Sequence, residues 1–249
     1  MPSTQDASAR SKATVPIVVA VVAALVTGTM LLSTVLGGGE DKESAQTPVS
    51  DVSRDGSRPP VDEKNDPFAA LVRRDPKDAA ALGEVDAPVV MINYSEFQCP
   101  FCGKFARDTK PELMKYVEDG TMRIEWRHFP YLGPESITSA KASWAAGEQG
   151  RFWEYHDAMF ADQQPPNSGK LTDEYLLDKA REIGLDVERF EEDMTSKTAA
   201  DEVQADFDEG QEIGVTGTPA FLVNGRPIMG AQPTEAFVEA IEQAAQDAQ

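Results

Sequence analysis

The chain has 249 residues with 41% hydrophobic content, enough for one sizeable domain and accessory segments. Its formal net charge is -20, and the acidic residues lie almost entirely beyond a leader that carries Arg10 and Lys12 against Asp6. That balance argues against a nucleic-acid partner, because phosphate binding needs clustered Lys and Arg.

No charged residue occurs between Lys12 and Glu40, and Ile17 to Leu36 is a run of 20 mostly apolar residues. As a helix it would span about 30 Å, the thickness of a bilayer core. Basic residues before it and acidic residues after it orient the N-terminus inward by the positive-inside rule. The expected organisation is a cytoplasmic N-terminus at 1–14, a transmembrane signal anchor at 15–36 and a linker at 37–66. The folded domain follows at 67–249. A cleaved signal peptide is the competing reading, but its apolar region is shorter, about 7–15 residues. Either way the domain is placed outside the cytoplasmic membrane. The linker holds Gly37-Gly38-Gly39, Pro59-Pro60, many charges and no aromatic residue, so it has little apolar surface to offset ordering entropy.

Within the domain, Val89-Val90-Met91-Ile92 reads as a buried strand. The chain then enters Cys99-Pro100-Phe101-Cys102, which holds its only two cysteines. Pro100 suits the first turn of a helix, where a missing N–H costs nothing. Phe101 and Phe105 are expected on one face of that helix, and Pro111 is expected to kink or restart it. Met122, Ile124 and Trp126 alternate with Arg123, Glu125 and Arg127, which is strand periodicity. Strand, helix and strand in this order give a parallel βαβ unit. Residues from about 134 to 212 read as helical, with Thr172 and Asp186 as caps. Ala220 to Val223 and Arg226 to Met229 flank Asn224-Gly225, a hairpin signal. A final helix starts at Pro233.

The cysteine pair carries the chemistry. Thiolates, not thiols, attack disulfides. Cys99 falls at the helix start, where unpaired N–H groups favour negative charge. Cys102 lies about one turn later and turns inward. This order makes Cys99 the attacking residue and Cys102 the resolving one. A zinc site is not expected, since His128 and His156 lie far from finger spacing. Both histidines read as structural. Glu96, three residues before Cys99, is either a buried carboxylate that tunes the thiols or a solvated cap. Thr218-Pro219 precedes the hairpin, and by itself it is compatible with an ordinary X-Pro turn or with a cis bond.

Five motifs occur in a fixed order: Asp86-Ala87-Pro88, Ser95 to Cys102 (SEFQCPFC), Arg127-His128-Phe129-Pro130, Phe152-Trp153-Glu154-Tyr155-His156 and Val215 to Phe221 (VTGTPAF). Together they resemble the DsbA-like thiol-disulfide oxidoreductases, especially the membrane-anchored branch of Gram-positive bacteria, including actinobacteria. The resemblance covers about residues 67–245. It implies an α/β thioredoxin fold with an inserted helical domain, and a cis Thr218–Pro219 bond beside the cysteines. Thr218 and Pro219 would then contact substrate, and Pro100 and Phe101 would tune the pair. The implied activity is disulfide introduction into reduced, unfolded secreted or cell-envelope proteins, with a membrane quinone-linked thiol oxidase for reoxidation. The expected protein is a single-pass monomer whose redox group is its own disulfide, without cofactor or metal. One departure is Phe101, where the best-known DsbA proteins have histidine, which points to a weaker oxidant. Isomerase or reductase activity of the same fold stays open, as does a redox-inert, membrane-tethered binding module.

Overall fold

The computed structural model describes residues 68–249. The expected cytoplasmic segment (1–14), anchor (15–36) and linker (37–66) lie outside the described residues. No helix among the described residues is long and apolar enough to cross a membrane.

A five-stranded sheet organises the domain, in the order β1-β3-β2-β4-β5. These strands are β1 (Ala81–Leu82), β2 (Val89–Ser95), β3 (Met122–His128), β4 (Ala220–Val223) and β5 (Arg226–Met229). β2 and β3 run parallel, as the βαβ reading requires, and the other pairs are antiparallel. All seven residues of β2 are buried because both faces of this central strand are covered. Val89 and Met91 pack with Leu113, Phe237 and Ile241 on one side. Val90, Ile92 and Tyr94 pack with Phe129 and Ala220 on the other. This alternation follows from the two-residue side-chain period of a strand.

The connection from β2 to β3 is one continuous helical path in three parts. It runs through α1 (Pro100–Lys104), a π-helical turn at Phe105–Thr109 and α2 (Lys110–Glu118). Pro111 occupies the start of α2, which agrees with the expected restart. The two phenylalanines differ in burial. Phe105 is buried against Phe221 and Phe237, at 4.5 and 5.2 Å between ring centroids, whereas Phe101 is 62% exposed. The first helical turn offers Phe101 no apolar surface to cover it.

Five helices follow: α3 (Pro134–Gly147), α4 (Phe152–Ala161), α5 (Asp173–Glu182), α6 (Val187–Thr195) and α7 (Lys197–Glu212). Thr172 and Asp186 cap α5 and α6 as expected, each side chain accepting from a backbone N–H at 3.2 Å. Such caps contribute about 1 kcal/mol each. The chain closes with the β4–β5 hairpin and α8 (Thr234–Asp247). At the hairpin tip, Asn224 and Gly225 have φ of 43° and 78°, the left-handed pair that a tight hairpin turn requires. The Asn224 side chain also accepts from the Val90 N–H and donates to the Pro88 carbonyl, which pins the hairpin to β2.

Two features depart from what the sequence pattern suggests. The two-residue β1 joins the sheet edge beside β3. On β3 the polar residues are buried together with the apolar ones. Glu125, fully buried, sits 3.1 Å from Arg123 and 2.9 Å from Arg127, and accepts from the N–H groups of Arg73 and Arg74. The preceding segment therefore closes over a face that would otherwise be solvated.

Candidate active site

The site lies at the C-terminal end of β2. After Ser95 the chain turns through Glu96, Phe97 and Gln98, and Cys99 occupies the N-cap of α1 with Pro100 in the first turn. Phe97 anchors the turn from below, 5.5 Å from the Trp126 ring and 5.1 Å from Phe160. Gln163, just beyond α4, holds it from the side. Its amide donates to the carbonyls of Phe97 at 3.0 Å and Cys99 at 2.9 Å. Gly103 is required by this clamp, because a Cβ there would collide with the Gln163 side chain.

β4 brings the second loop. Tyr94 pairs with Ala220 across the antiparallel ladder, so the residues just before Ala220 lie beside the end of β2. The Thr218–Pro219 bond is cis. The Cys99 thiol donates to the Thr218 carbonyl at 3.2 Å, while the Pro219 carbonyl accepts from the Gly230 N–H at 2.8 Å. Pro100, Cys99, Cys102, Thr218 and Pro219 thus converge within one small region. Phe101 sits on its rim and points to solvent.

Both cysteines are free thiols, Cys99 3% and Cys102 1% exposed. Their acidities are pushed apart. A hydrogen bond from Cys102 does most to bring Cys99 down to about 6; burial opposes it, and Thr218 and the amides of Cys102 and Phe101 add to the fall. Burial pushes Cys102 well above the ordinary thiol range, and the neighbouring Cys99 pushes it further. One sulfur is therefore an anion near neutral pH and the other stays protonated. Phe101 contributes only its backbone N–H to this balance.

Two further residues, Tyr131 and Glu96, and the side chain of Thr218 complete the site. Tyr131, 42% exposed, follows β3; burial and the negative charge of Cys99 raise its hydroxyl. The Thr218 hydroxyl is buried and acts on both sulfurs, lowering each. Glu96 is buried, and its carboxylate accepts from the Ser136 hydroxyl. Sequence reasoning left Glu96 undecided and did not single out Ser136, Gln163 or Tyr131. The only local signal was an acid three residues before a cysteine.

His128 and His156 stay out of this chemistry. The His128 ring accepts from the Trp126 indole at 3.1 Å, and the His156 ring contacts Asp157 at 2.7 Å. Burial brings both down to about 4, so both are neutral near pH 7. Among the described residues no group of three or more His, Cys, Asp or Glu is arranged to hold a metal.

Comparisons with known proteins agree with this geometry. A family model described as thioredoxin matches residues 75–243. The probable disulfide bond formation protein D of Bacillus anthracis is 32% identical over 150 residues, covering 58% of this chain and 69% of that protein. The oxidised BdbD crystal structure from Bacillus subtilis matches with a TM-score of 0.64 and 26% identity, over 69% of this chain and 95% of that one. The Na(+)/H(+) antiporter NhaA 1 of Salinispora arenicola is 36% identical over 177 residues, 70% of this chain and 26% of the antiporter. The chain therefore spans about a quarter of the length of the antiporters it matches. The matched residues contain both the cysteine pair and the Thr218–Pro219 loop, and the chain belongs to the thioredoxin family, among its DsbA-like thiol-disulfide oxidoreductases.

Proposed function

We propose that this protein exchanges disulfides with reduced proteins outside the cytoplasmic membrane, and that its Cys99–Cys102 disulfide is donated to secreted or cell-envelope substrates. The observation that carries the proposal is the split acidity of the two thiols. A substrate thiolate attacks Cys99 Sγ, the Cys99–Cys102 bond breaks, and Cys102 leaves and takes a proton. A second substrate thiolate then attacks its partner sulfur in the mixed disulfide and releases Cys99 as a thiolate. Because Cys99 is a stable anion, the reduced enzyme is stabilised, and electrons flow from substrate to enzyme. Thr218 and Pro219 border the reacting sulfur, and the exposed rings of Phe101 and Tyr131 offer apolar surface to an unfolded chain.

The location rests on the apolar run at 15–36, read as a single-pass anchor with its N-terminus inside. Reoxidation would fall to a membrane quinone-linked thiol oxidase, as the family resemblance implies. A second reading within the same chemistry, isomerase or reductase, is favoured by one observation. Phe101 gives the thiolate no side-chain donor, and Cys99 at about 6 is less acidic than the ~3.5 of DsbA. The test is oxidative refolding of a reduced, disulfide-containing protein by stoichiometric oxidised enzyme. The proposal expects refolding, with none above background for Cys99→Ser. Equal activity of the two would refute it.

A further inference from the structure

Glu96 is an acid without a cation. It is 2% exposed, and none of the ion pairs among the described residues includes it. Ser136, in the first turn of α3, donates to Oε2 and in turn accepts from the Gln98 amide at 2.8 Å. Oε1 is buried with no partner. An ionised carboxylate held by neutral groups and left half-satisfied is costly, so a proton there is favoured. Burial pushes Glu96 up to about 7; the Ser136 hydroxyl pulls it back, the negative charge on Cys99 pushes it up again, and the backbone N–H groups of Gln98 and Leu132 oppose the rise without cancelling it. The titratable groups that share this field are Cys99 and Cys102 at the start of α1 and Tyr131 after β3. The only one of these that is charged near neutral pH is Cys99, and its charge exists only when the cysteine pair is reduced.

We propose that Glu96 is a redox-linked proton site, which takes up a proton when the Cys99–Cys102 disulfide is reduced and releases it when the disulfide re-forms. The assignment rests on the disulfide-exchange reading above. It completes the balance of that reaction. Two substrate thiols become a disulfide and give up two electrons and two protons. The electrons break the Cys99–Cys102 bond. One proton neutralises Cys102, whose buried sulfur does not keep a charge. The other moves to the Glu96 carboxylate, and Cys99 remains a thiolate. One negative charge has passed from Glu96 to Cys99, so the buried site never has to hold two. Oxidation by the disulfide of a reoxidising partner runs the same transfer backwards. Glu96 is a positioning residue for charge and does not touch the substrate.

The experiment uses the full chain, wild type and Glu96→Gln, poised with glutathione. Redox-difference infrared spectra around neutral pH are expected to show a protonated carboxyl band that appears on reduction and is missing in Glu96→Gln. Two glutathione thiols release two protons and Cys102 takes back one, so the constant for reduction by glutathione is expected to rise about tenfold per pH unit in Glu96→Gln above the Cys99 titration. It should be nearly level in the wild type just below and around pH 7, where Glu96 takes up the second proton. Ser136→Ala keeps the carboxyl and is expected to move this level region to higher pH. A purely structural Glu96 would change stability alone. Exchange with glutathione that shows no carboxyl band in the wild type, or the same slope in both proteins, overturns the assignment and leaves the function standing. No exchange in the wild type overturns the function itself and the assignment with it.

Discussion

Removing the thiol of Cys102 tests how the Cys99 anion is held. The Cys102 hydrogen bond is the largest influence lowering Cys99, ahead of Thr218 and the two amides, and together they outweigh burial. A hydrogen bond to a charged group contributes about 1.5–3 kcal/mol, and a thiol is a weak donor at the low end of that range. At 1.36 kcal/mol per pH unit, losing it raises Cys99 by about one unit. Cys102→Ala is therefore expected to titrate near 7, while Cys102→Ser, which keeps a hydroxyl donor, stays near 6. The assay is the rate of iodoacetamide alkylation against pH, checked by thiolate absorbance. At about pH 6 the alanine variant should react about fivefold more slowly than the wild type, because its thiolate fraction falls from about a half to about a tenth. Equal curves for the wild type and Cys102→Ala would refute the argument. Equal losses in the alanine and serine variants would show that packing, not a donor, sets the acidity.

Two other perturbations follow from the same physics. Thr218→Val removes the buried hydroxyl that helps lower Cys99 and keeps the backbone, so Cys99 should rise by up to about one unit in the same alkylation assay, with the fold intact by circular dichroism. The buried histidines make folding pH-dependent. Burial holds His128 and His156 at about 4, below the ordinary ~6.5, so the unfolded chain binds protons first as pH falls. Stability is complete above about pH 6.5 and declines down to about 4, by up to about 3 kcal/mol per histidine, which urea unfolding across that range measures. A flat stability between those limits would contradict the buried, neutral assignment.

The elements legible in the sequence were those with local causes. β2 and β3 announced themselves by apolar runs and alternation, the hairpin by Asn224-Gly225, and α5 and α6 by Thr172 and Asp186. β1 was not legible, because two residues, Ala81 and Leu82, are too few for a period and the strand exists only by pairing with β3. Nor was the burial of Arg123, Glu125 and Arg127, since alternation of this kind usually marks a solvated face; Arg73 and Arg74 cover it from about fifty residues away. The same limit applied at the site. The Cys-x-x-Cys spacing and helix start could be read directly. The state of Glu96 depended on Ser136, 40 residues on, and the rigidity of the turn on Gln163, 64 residues beyond Cys99. Phe101 and Phe105 shared a helical spacing but not an environment, because only the second has the sheet beneath it.

The reduction potential of the Cys99–Cys102 pair, measured against glutathione at pH 7, tests the central claim most directly. A Cys99 thiol at about 6 lies between thioredoxin at ~7 and DsbA at ~3.5, so the reduced form is stabilised more than in the first and less than in the second. The expected potential therefore falls between about −270 and −120 mV, in the lower half of that interval, which makes the protein a mild oxidant. A value at or below about −270 mV would make it a reductant and contradict the proposed direction of disulfide transfer.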